Sequence, residues 1–498
     1  MAETLVMEVP NFLFPILLLL PVLYLILKHF KASKSPPIPP GPFSWPILGN
    51  LLQIGENPLA TLTQFGQTYG PLFSLKLGSQ RVVVASSSAV AMEILKTQDR
   101  LLCGRYVPHA APAKSREHNG LSVAWIVECN ETWKYLRTLC RSILFSSKAI
   151  ESQVCVREER VRKMVKYIVS MEGKPLKVRD ITFAMIFNML GNIFLSVDLI
   201  DFEQESEAGG MSGVLRSVME VVAAPNLSDL YPLLGQLDLQ GLRKKSMEIY
   251  KKFCTMFEAT IKERRERNRG DTQSQKDFLD ALICNGSSDE QINMLLFELI
   301  SAGTDTSSST IEWAMTELIK NPKCMKIVQE ELTREIIQDM VTESHLSKLP
   351  YLQACVKETL RLHPPAPFLL PRRAIESCQV MNYTIPKDSQ VLVNVWAIGR
   401  DPKSWKDPLV FKPERFLDSS FDFKGNDFEF LPFGGGRRIC AGMPMAAKHV
   451  PLVVASFIRF FDWSLPYGKD PNDLNMSAEY GITLMKEEPL ILIPKVKS

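Results

Sequence analysis

The chain has 498 residues, 46% apolar and 23% charged, with 58 Lys and Arg against 55 Asp and Glu and a net charge of +3. This is an ordinary globular balance, which excludes disordered, collagen-like and coiled-coil chains and offers no concentrated basic face for nucleic acid. The ten cysteines are scattered without a C-x-x-C pair, so they read as reduced thiols and not as a disulfide framework.

In chain order, the first predicted element is apolar: Val9 to Leu27, 19 residues, or roughly 28 Å of helix, one hydrocarbon thickness. Glu3 and Glu8 precede it; Lys28, His29, Lys31 and Lys34 follow. The acidic start and the absence of an A-x-A cleavage site favour a retained anchor over a signal peptide, with the body of the protein on the positive, cytosolic side. Residues 1–28 are therefore expected to be a single-pass membrane anchor. Residues 29–44, with Pro36, Pro37, Pro39, Pro40 and Pro42, are expected to form a semi-rigid spacer. The sequons at Asn226 and Asn285 should then stay unglycosylated.

Residues 45–498 show no repeat and no second linker, and read as one domain, mainly α with a minor β region. Strands are expected near Leu72–Ala85, Val380–Ile385 and Val391–Val393. Helices are expected over Arg157–Val169, Arg243–Arg267, Asp289–Lys320, Pro322–Ile337 and Pro350–Leu362. Asp289 suits the N-cap of the long helix, and Pro322 the first position of the helix that follows it. Ala302-Gly303 interrupts the middle of the long helix, and because a mid-helix glycine costs up to about 1 kcal/mol a packing or functional reason for it is expected.

The strongest chemical signal is Phe433-Gly434-Gly435-Gly436-Arg437-Arg438-Ile439-Cys440-Ala441-Gly442, ahead of an apolar helical stretch, Met445–Phe460. Consecutive glycines allow backbone conformations closed to other residues, and a thiolate at a helix start is stabilised by exposed N–H groups. A lone cysteine ligand does not suit structural zinc or an iron–sulfur cluster, but it suits the axial thiolate of a haem. The turn alone is equally compatible with a buried structural cysteine. No G-x-G-x-x-G after a strand, Walker or H-E-x-x-H motif is present, so electrons for any redox chemistry must come from a separate protein.

Phe433, Gly436, Arg438, Cys440 and Gly442 spell F-x-x-G-x-R-x-C-x-G. This resembles the haem-binding signature of the cytochrome P-450 superfamily, the haem-thiolate monooxygenases. Further motifs follow that family's order. Glu358 and Arg361 match its E-x-x-R, with Arg415 of a P-E-R-F segment as the third member of a structural network. Ala302-Gly303-Thr304-Asp305-Thr306 resembles its central helix over the oxygen-binding face. Trp133 and Arg137 match W-x-x-x-R.

The resemblance implies the cytochrome P-450 fold and a bound haem (heme b, iron protoporphyrin with an axial thiolate) on Cys440. It implies haem-propionate contacts from Trp133, Arg137, Arg372 and Arg438, and a catalytic hydroxyl at Thr306 with a proton relay at Asp305. It also implies an endoplasmic-reticulum membrane setting, O2 as co-substrate and an NADPH-dependent reductase. Lys134, Arg137, Arg141, Arg437 and Lys448 are candidates for attracting that reductase.

Within the superfamily, Thr310-Ile311-Glu312-Trp313-Ala314-Met315-Thr316-Glu317-Leu318, Leu349-Pro350-Tyr351-Leu352 and Asn394-Val395-Trp396-Ala397-Ile398-Gly399-Arg400-Asp401-Pro402 resemble plant microsomal enzymes of alkaloid pathways. That group includes N-methylcoclaurine 3'-hydroxylases, phenol-coupling oxidases and the littorine mutase. The implied function is oxidation of an aromatic amine alkaloid or precursor, by hydroxylation or by rearrangement with hydroxylation. Phenol coupling without oxygen insertion and a non-catalytic haem-binding membrane protein are the alternatives. Substrate contacts are expected from Tyr106–Val123, near Ala302, from Ala366–Leu370 and near Tyr480. Glu479 reads as solvated rather than as an ammonium partner.

Overall fold

The computed structural model describes residues 36–497 apart from 116, 203–210, 269–276, 338–339 and 418, so the expected anchor and the first part of the spacer lie outside the described residues. Helices dominate. The central one, Asp289–Lys320, has 32 residues and runs about 48 Å. Its N-cap is Ser288, one residue before the expected Asp289: Ser288 accepts the Gln291 N–H at 3.2 Å, and Asp289 and Glu290 put negative charge in the first turn. Beyond Asn321, a first-position proline opens Pro322–Glu335.

The central helix runs unbroken through Gly303, and the glycine has the packing reason expected of it. A Cβ on it would lie 2.9 Å from Leu190 Cδ1, so glycine is what lets the helix Val178–Leu195 pack closely. Among the described helices this partner is the one long and apolar enough to cross a bilayer, but 89% of it is buried inside the protein. It is a core helix.

A five-stranded sheet lies to one side, in the order Leu72–Leu77, Gln80–Ala85, Gln390–Val393, Arg372–Arg373, Gly104–Arg105. Gln80–Ala85 and Gln390–Val393 run parallel, and Arg372 pairs with Arg105 across an antiparallel step. The stretch 380–385 is not one strand. Met381 and Asn382 take φ of 49° and 65° and fold it into a hairpin between Cys378–Val380 and Tyr383–Ile385.

The spacer expectation also needs correction from Pro36 onward. Pro36 and Pro37 carbonyls accept from Thr384 Oγ1 and N at 2.7 and 2.8 Å. Pro39 and Pro40 carbonyls accept from Ser74 Oγ and N, both at 2.7 Å. A proline segment offers free carbonyls and few N–H donors, so it serves here as an acceptor edge laid on two strands.

The helix Pro350–Leu362 carries Glu358 and Arg361 three residues apart on one face. Arg361 Nε and Nη2 donate to the two Glu358 oxygens at 2.7 and 2.8 Å. Arg415 Nε reaches the same carboxylate at 3.0 Å, and so does the Lys412 N–H at 2.8 Å. Arg361 Nη1 also donates to the Pro408 carbonyl at 2.7 Å. This buried triad ties the segment 408–415 to the helix. Removing its one anion strands two guanidiniums in the interior. Glu358→Ala is therefore expected to cost about 3–5 kcal/mol of unfolding free energy. A denaturant titration followed by tryptophan emission checks this, and a loss under about 1 kcal/mol would rule out the triad as the anchor of that segment.

Candidate active site

Cys440 sits at the end of a tight loop, one residue pair before the helix Met443–Phe460. The loop is closed by Gly434 N to Leu431 O at 3.0 Å, Ile439 N to Gly436 O at 3.1 Å and Cys440 N to Phe433 O at 3.0 Å. Gly434 and Gly436 adopt φ of 70° and 65°, a region that favours glycine. Gly436 has a second reason to be glycine: a Cβ would come within 2.3 Å of the Leu95 carbonyl and 2.5 Å of Asp99 Oδ1. The close approach there is to protein, not to a ligand. Burial pushes the Cys440 thiol up, while the Gly442 and Met443 N–H groups and Arg137 pull the other way. The Phe433 ring packs edge-on against Phe423 at 5.3 Å.

Four cationic or polar side chains flank the loop, and most of their donors are spent on the protein. Arg438 Nε donates to Cys103 O at 3.0 Å and Nη2 to Ile126 O at 2.6 Å, with the guanidinium 4.9 Å from the Trp133 ring centre. Arg438 Nη1 is buried with no hydrogen-bond partner. Trp133 Nε1 donates to Val123 O at 3.0 Å, and Arg137 Nη2 donates to Ile439 O. Arg372 donates to Asp99 at 3.0 Å and to Gly435 O at 2.9 Å. Asp99 also accepts from Arg437 N and Nη1 at 3.2 and 3.1 Å. Of the surface set, Lys134 pairs with Glu131 at 2.6 Å and Arg137 is turned inward, whereas Arg141 is exposed and Lys448 half-buried.

Cys440 faces a cavity of about 390 Å³, closed on its other side by the central helix through Ala302, Gly303, Thr306 and Thr310. The Thr306 hydroxyl donates to the Ala302 carbonyl at 2.7 Å. Asp305 is buried on the same helix but does not line the cavity. From the expected stretches Tyr106–Val123 and Ala366–Leu370, the lining takes Ala111, Pro112, Val123, Ala366, Leu369 and Leu370. Near the C-terminus the contacts come from Ile482 and Thr483 instead of Tyr480. Tyr480 packs edge-on against Phe368 at 5.5 Å, and Tyr106 turns its hydroxyl to the Asp229 carbonyl at 3.2 Å. Glu479 is exposed, as read from the sequence.

Two functional features escaped the sequence reading. Asp99 holds Arg372 and Arg437. Glu298, on the central helix, accepts from Ser122 Oγ, from Val123 N at 2.9 Å and from Ala124 N at 3.2 Å, and burial raises its carboxyl to about 7. No local motif marks either residue.

The residues fit a haem bound through the thiolate. Among the described residues no group of three or more His, Cys, Asp or Glu is placed to hold a metal. The lone sulfur of Cys440, facing the cavity, is the residue that would hold the haem iron. The partnerless Arg438 Nη1, on a residue lining the cavity, is a donor that an acidic cofactor substituent would satisfy.

Residues 39–493 match the cytochrome P-450 family. The chain is 48% identical to (S)-N-methylcoclaurine 3'-hydroxylase isozyme 1 of Papaver somniferum, over 95% of this chain and 98% of that protein. It is 48% identical to isozyme 2 of the same enzyme from Eschscholzia californica, over 95% and 96%. It is 45% identical to corytuberine synthase of Coptis japonica, over 96% and 98%. With the cysteine loop, the buried Glu358 triad and the cavity in one arrangement, and near-complete coverage, the chain belongs to the cytochrome P-450 family of haem-thiolate monooxygenases.

Proposed function

We propose that the substrate is an aromatic amine of alkaloid type and that the reaction inserts one oxygen atom into it. Family membership supplies the class: a monooxygenase that acts on small molecules with O2 and needs a redox partner. The observation that carries the substrate reading is the 48% identity, over nearly the whole chain, to enzymes whose names state hydroxylation of an N-methylated amine. The cavity agrees with a flat apolar guest, since Phe194, Val218, Val222, Phe297 and Leu369 line it.

When bound, haem supplies the activation of O2 by electrons delivered from the partner. This chain's residues do the rest. Cys440 would be the metal ligand, its sulfur oriented by the loop hydrogen bonds and by the Gly442 and Met443 N–H groups. Arg438, Arg137, Arg372 and Trp133 would hold the acidic edge of the cofactor, with Arg438 Nη1 the donor available for it. Thr306 would hold a proton at Oγ1 over the reacting face, and the buried Asp305 would pass protons toward it. The apolar walls keep bulk water from the reacting atoms. The partner would be an NADPH-dependent reductase docking on the Cys440 side, where Arg141 and Lys448 reach the surface.

The site of action would be the cytosolic face of the endoplasmic reticulum. Phe43, Trp45, Ile47 and Leu52 are exposed beside the start of the chain, as are Leu233, Leu237 and Leu239. Tyr231 OH bonds Ile47 O at 3.3 Å and Leu230 O accepts from Ser79 N at 2.8 Å, so the two apolar groups adjoin. An apolar patch of this kind suits a lipid surface.

Three outcomes test the reading. Microsomes carrying the protein, given a panel of benzylisoquinoline and tropane amines under heavy-isotope O2, should yield a product carrying one labelled oxygen. An oxidised product without label would replace insertion by phenol coupling. Cys440→Ala should abolish the thiolate-type Soret shift of the reduced, carbon monoxide-treated protein, and retention of that shift would remove Cys440 from its role. Thr306→Ala should lower product formation on the order of 10- to 100-fold and raise peroxide released per NADPH consumed, with Thr306→Ser largely restoring both. Unchanged coupling in the alanine variant would exclude a proton-holding role for this hydroxyl.

A further inference from the structure

Glu298 is the one carboxylate among the described residues lining the cavity, and the chemistry above does not use it. It belongs to the stripe Glu298, Ala302, Thr306, Thr310, spaced by four along the central helix, all four of which line the cavity. Its hydrogen-bond partners are neutral: the Ser122 hydroxyl and the Val123 and Ala124 amides. A carboxylate offers about four lone-pair sites, so three bonds leave one for a ligand. Of the cavity's cations, Arg105 donates to the Ala124 and Leu370 carbonyls at 3.0 and 2.9 Å, and Lys357 donates to Phe421 O at 3.0 Å. Arg438 acts on Glu298 through space and donates its hydrogen bonds to Cys103 O and Ile126 O. An acid whose hydrogen-bond partners are all neutral, in a cavity lined largely by apolar side chains, is therefore placed to pair with a cation that arrives with the guest.

The geometry points to Glu298 as the counter-ion that receives the protonated nitrogen of the substrate. This deepens the amine reading above and rests on it. Eight residues separate Glu298 from Thr306, about 12 Å along the helix axis. A guest with its ammonium at Glu298 therefore presents to Thr306 a carbon several bonds from nitrogen. The inference thus favours attack on a remote ring over oxidation at a carbon bonded to nitrogen. The hydrogen bonds to 122–124 orient the carboxylate, so the loop is a positioning element for the same subsite.

The test uses full-length, haem-loaded protein and two matched probes: N-methyl-benzyltetrahydroisoquinoline, cationic at neutral pH, and its neutral N-formyl counterpart. Affinities are read from the spectral change on binding. Wild type should bind the amine at least about tenfold more tightly than the formamide, the size expected for a close buried charge pair. Glu298→Gln keeps acceptors for both amides and a partner for Ser122. It should remove that preference by weakening the amine alone, with the carbon monoxide spectrum and melting temperature unchanged. Ser122→Ala weakens the loop attachment, keeps the charge, and should retain the preference.

The inference is overturned if wild type shows no preference, a result that requires no variant to fold. It is equally overturned if Glu298→Gln weakens both probes alike, or if Ser122→Ala loses the preference as fully as Glu298→Gln. An enzyme that oxidises none of the alkaloid panel but still prefers the amine in a Glu298-dependent way retains the counter-ion and discards the proposed substrate.

Discussion

The structure around Cys440 is arranged to hold one sulfur atom in one direction. Burial pushes the Cys440 thiol up, and the two helix-start amides and Arg137 only partly oppose it. The loop fixes direction, and a metal bound there would displace the proton itself. This explains why so many bonds serve orientation: three backbone closures within 431–440, two left-handed glycines, and Asp99 gripping the loop from outside through Arg372 and Arg437. The Glu358 triad performs the corresponding task for the segment 408–415 just ahead of the loop.

The loop 122–126 connects the two walls of the cavity. Its amides at Val123 and Ala124 go to Glu298 on the central helix. Its carbonyls at Val123 and Ile126 go to Trp133 and Arg438 beside the cysteine loop. A short segment without regular structure thus satisfies its backbone groups through side chains from opposite faces, as a buried loop must. The consequence is mechanical. Displacement of Glu298 or of Arg438 moves the same backbone, so the substrate side and the cofactor side of the cavity are not independent.

What the sequence made legible was chemistry confined to a few consecutive residues or to one helical face. Phe433–Gly442 and the pair Glu358 and Arg361 could be read because their spacing already implied a shared turn or face. The ends of the central helix were legible to within a residue because capping and Pro322 act locally, although the cap expected at Asp289 is Ser288. Asp99 and Glu298 were not, since each meets partners far away in the chain: Ser122 is 176 residues from Glu298 and Arg437 is 338 from Asp99. Gly303 was legible as a glycine with a packing or functional reason, but its partner was not: Leu190 on a neighbouring helix turns the missing side chain into a packing gain. The proline run likewise read as a spacer because the donors to its carbonyls, Ser74 and Thr384, are supplied by distant strands.

The central helix carries one more constraint. Thr304, Thr306, Ser308 and Thr310 each donate their hydroxyl to the carbonyl four residues back, at 2.7 to 2.8 Å. Those carbonyls already serve the helix, so the side-chain bonds are additional, and hydroxyls of this kind tend to bend a helix slightly. For Thr306 the arrangement means that its proton rests on Ala302 O and only its lone pairs face the cavity. Donation to a guest requires the O–H to turn about the Cβ–Oγ1 bond, trading one neutral hydrogen bond for another, an exchange of small net cost. Alanine removes both states and serine preserves both. A hydroxyl parked on its own backbone is therefore compatible with the proposed proton-holding role: the helix would store the donor in a satisfied state until a better acceptor stood over the cysteine.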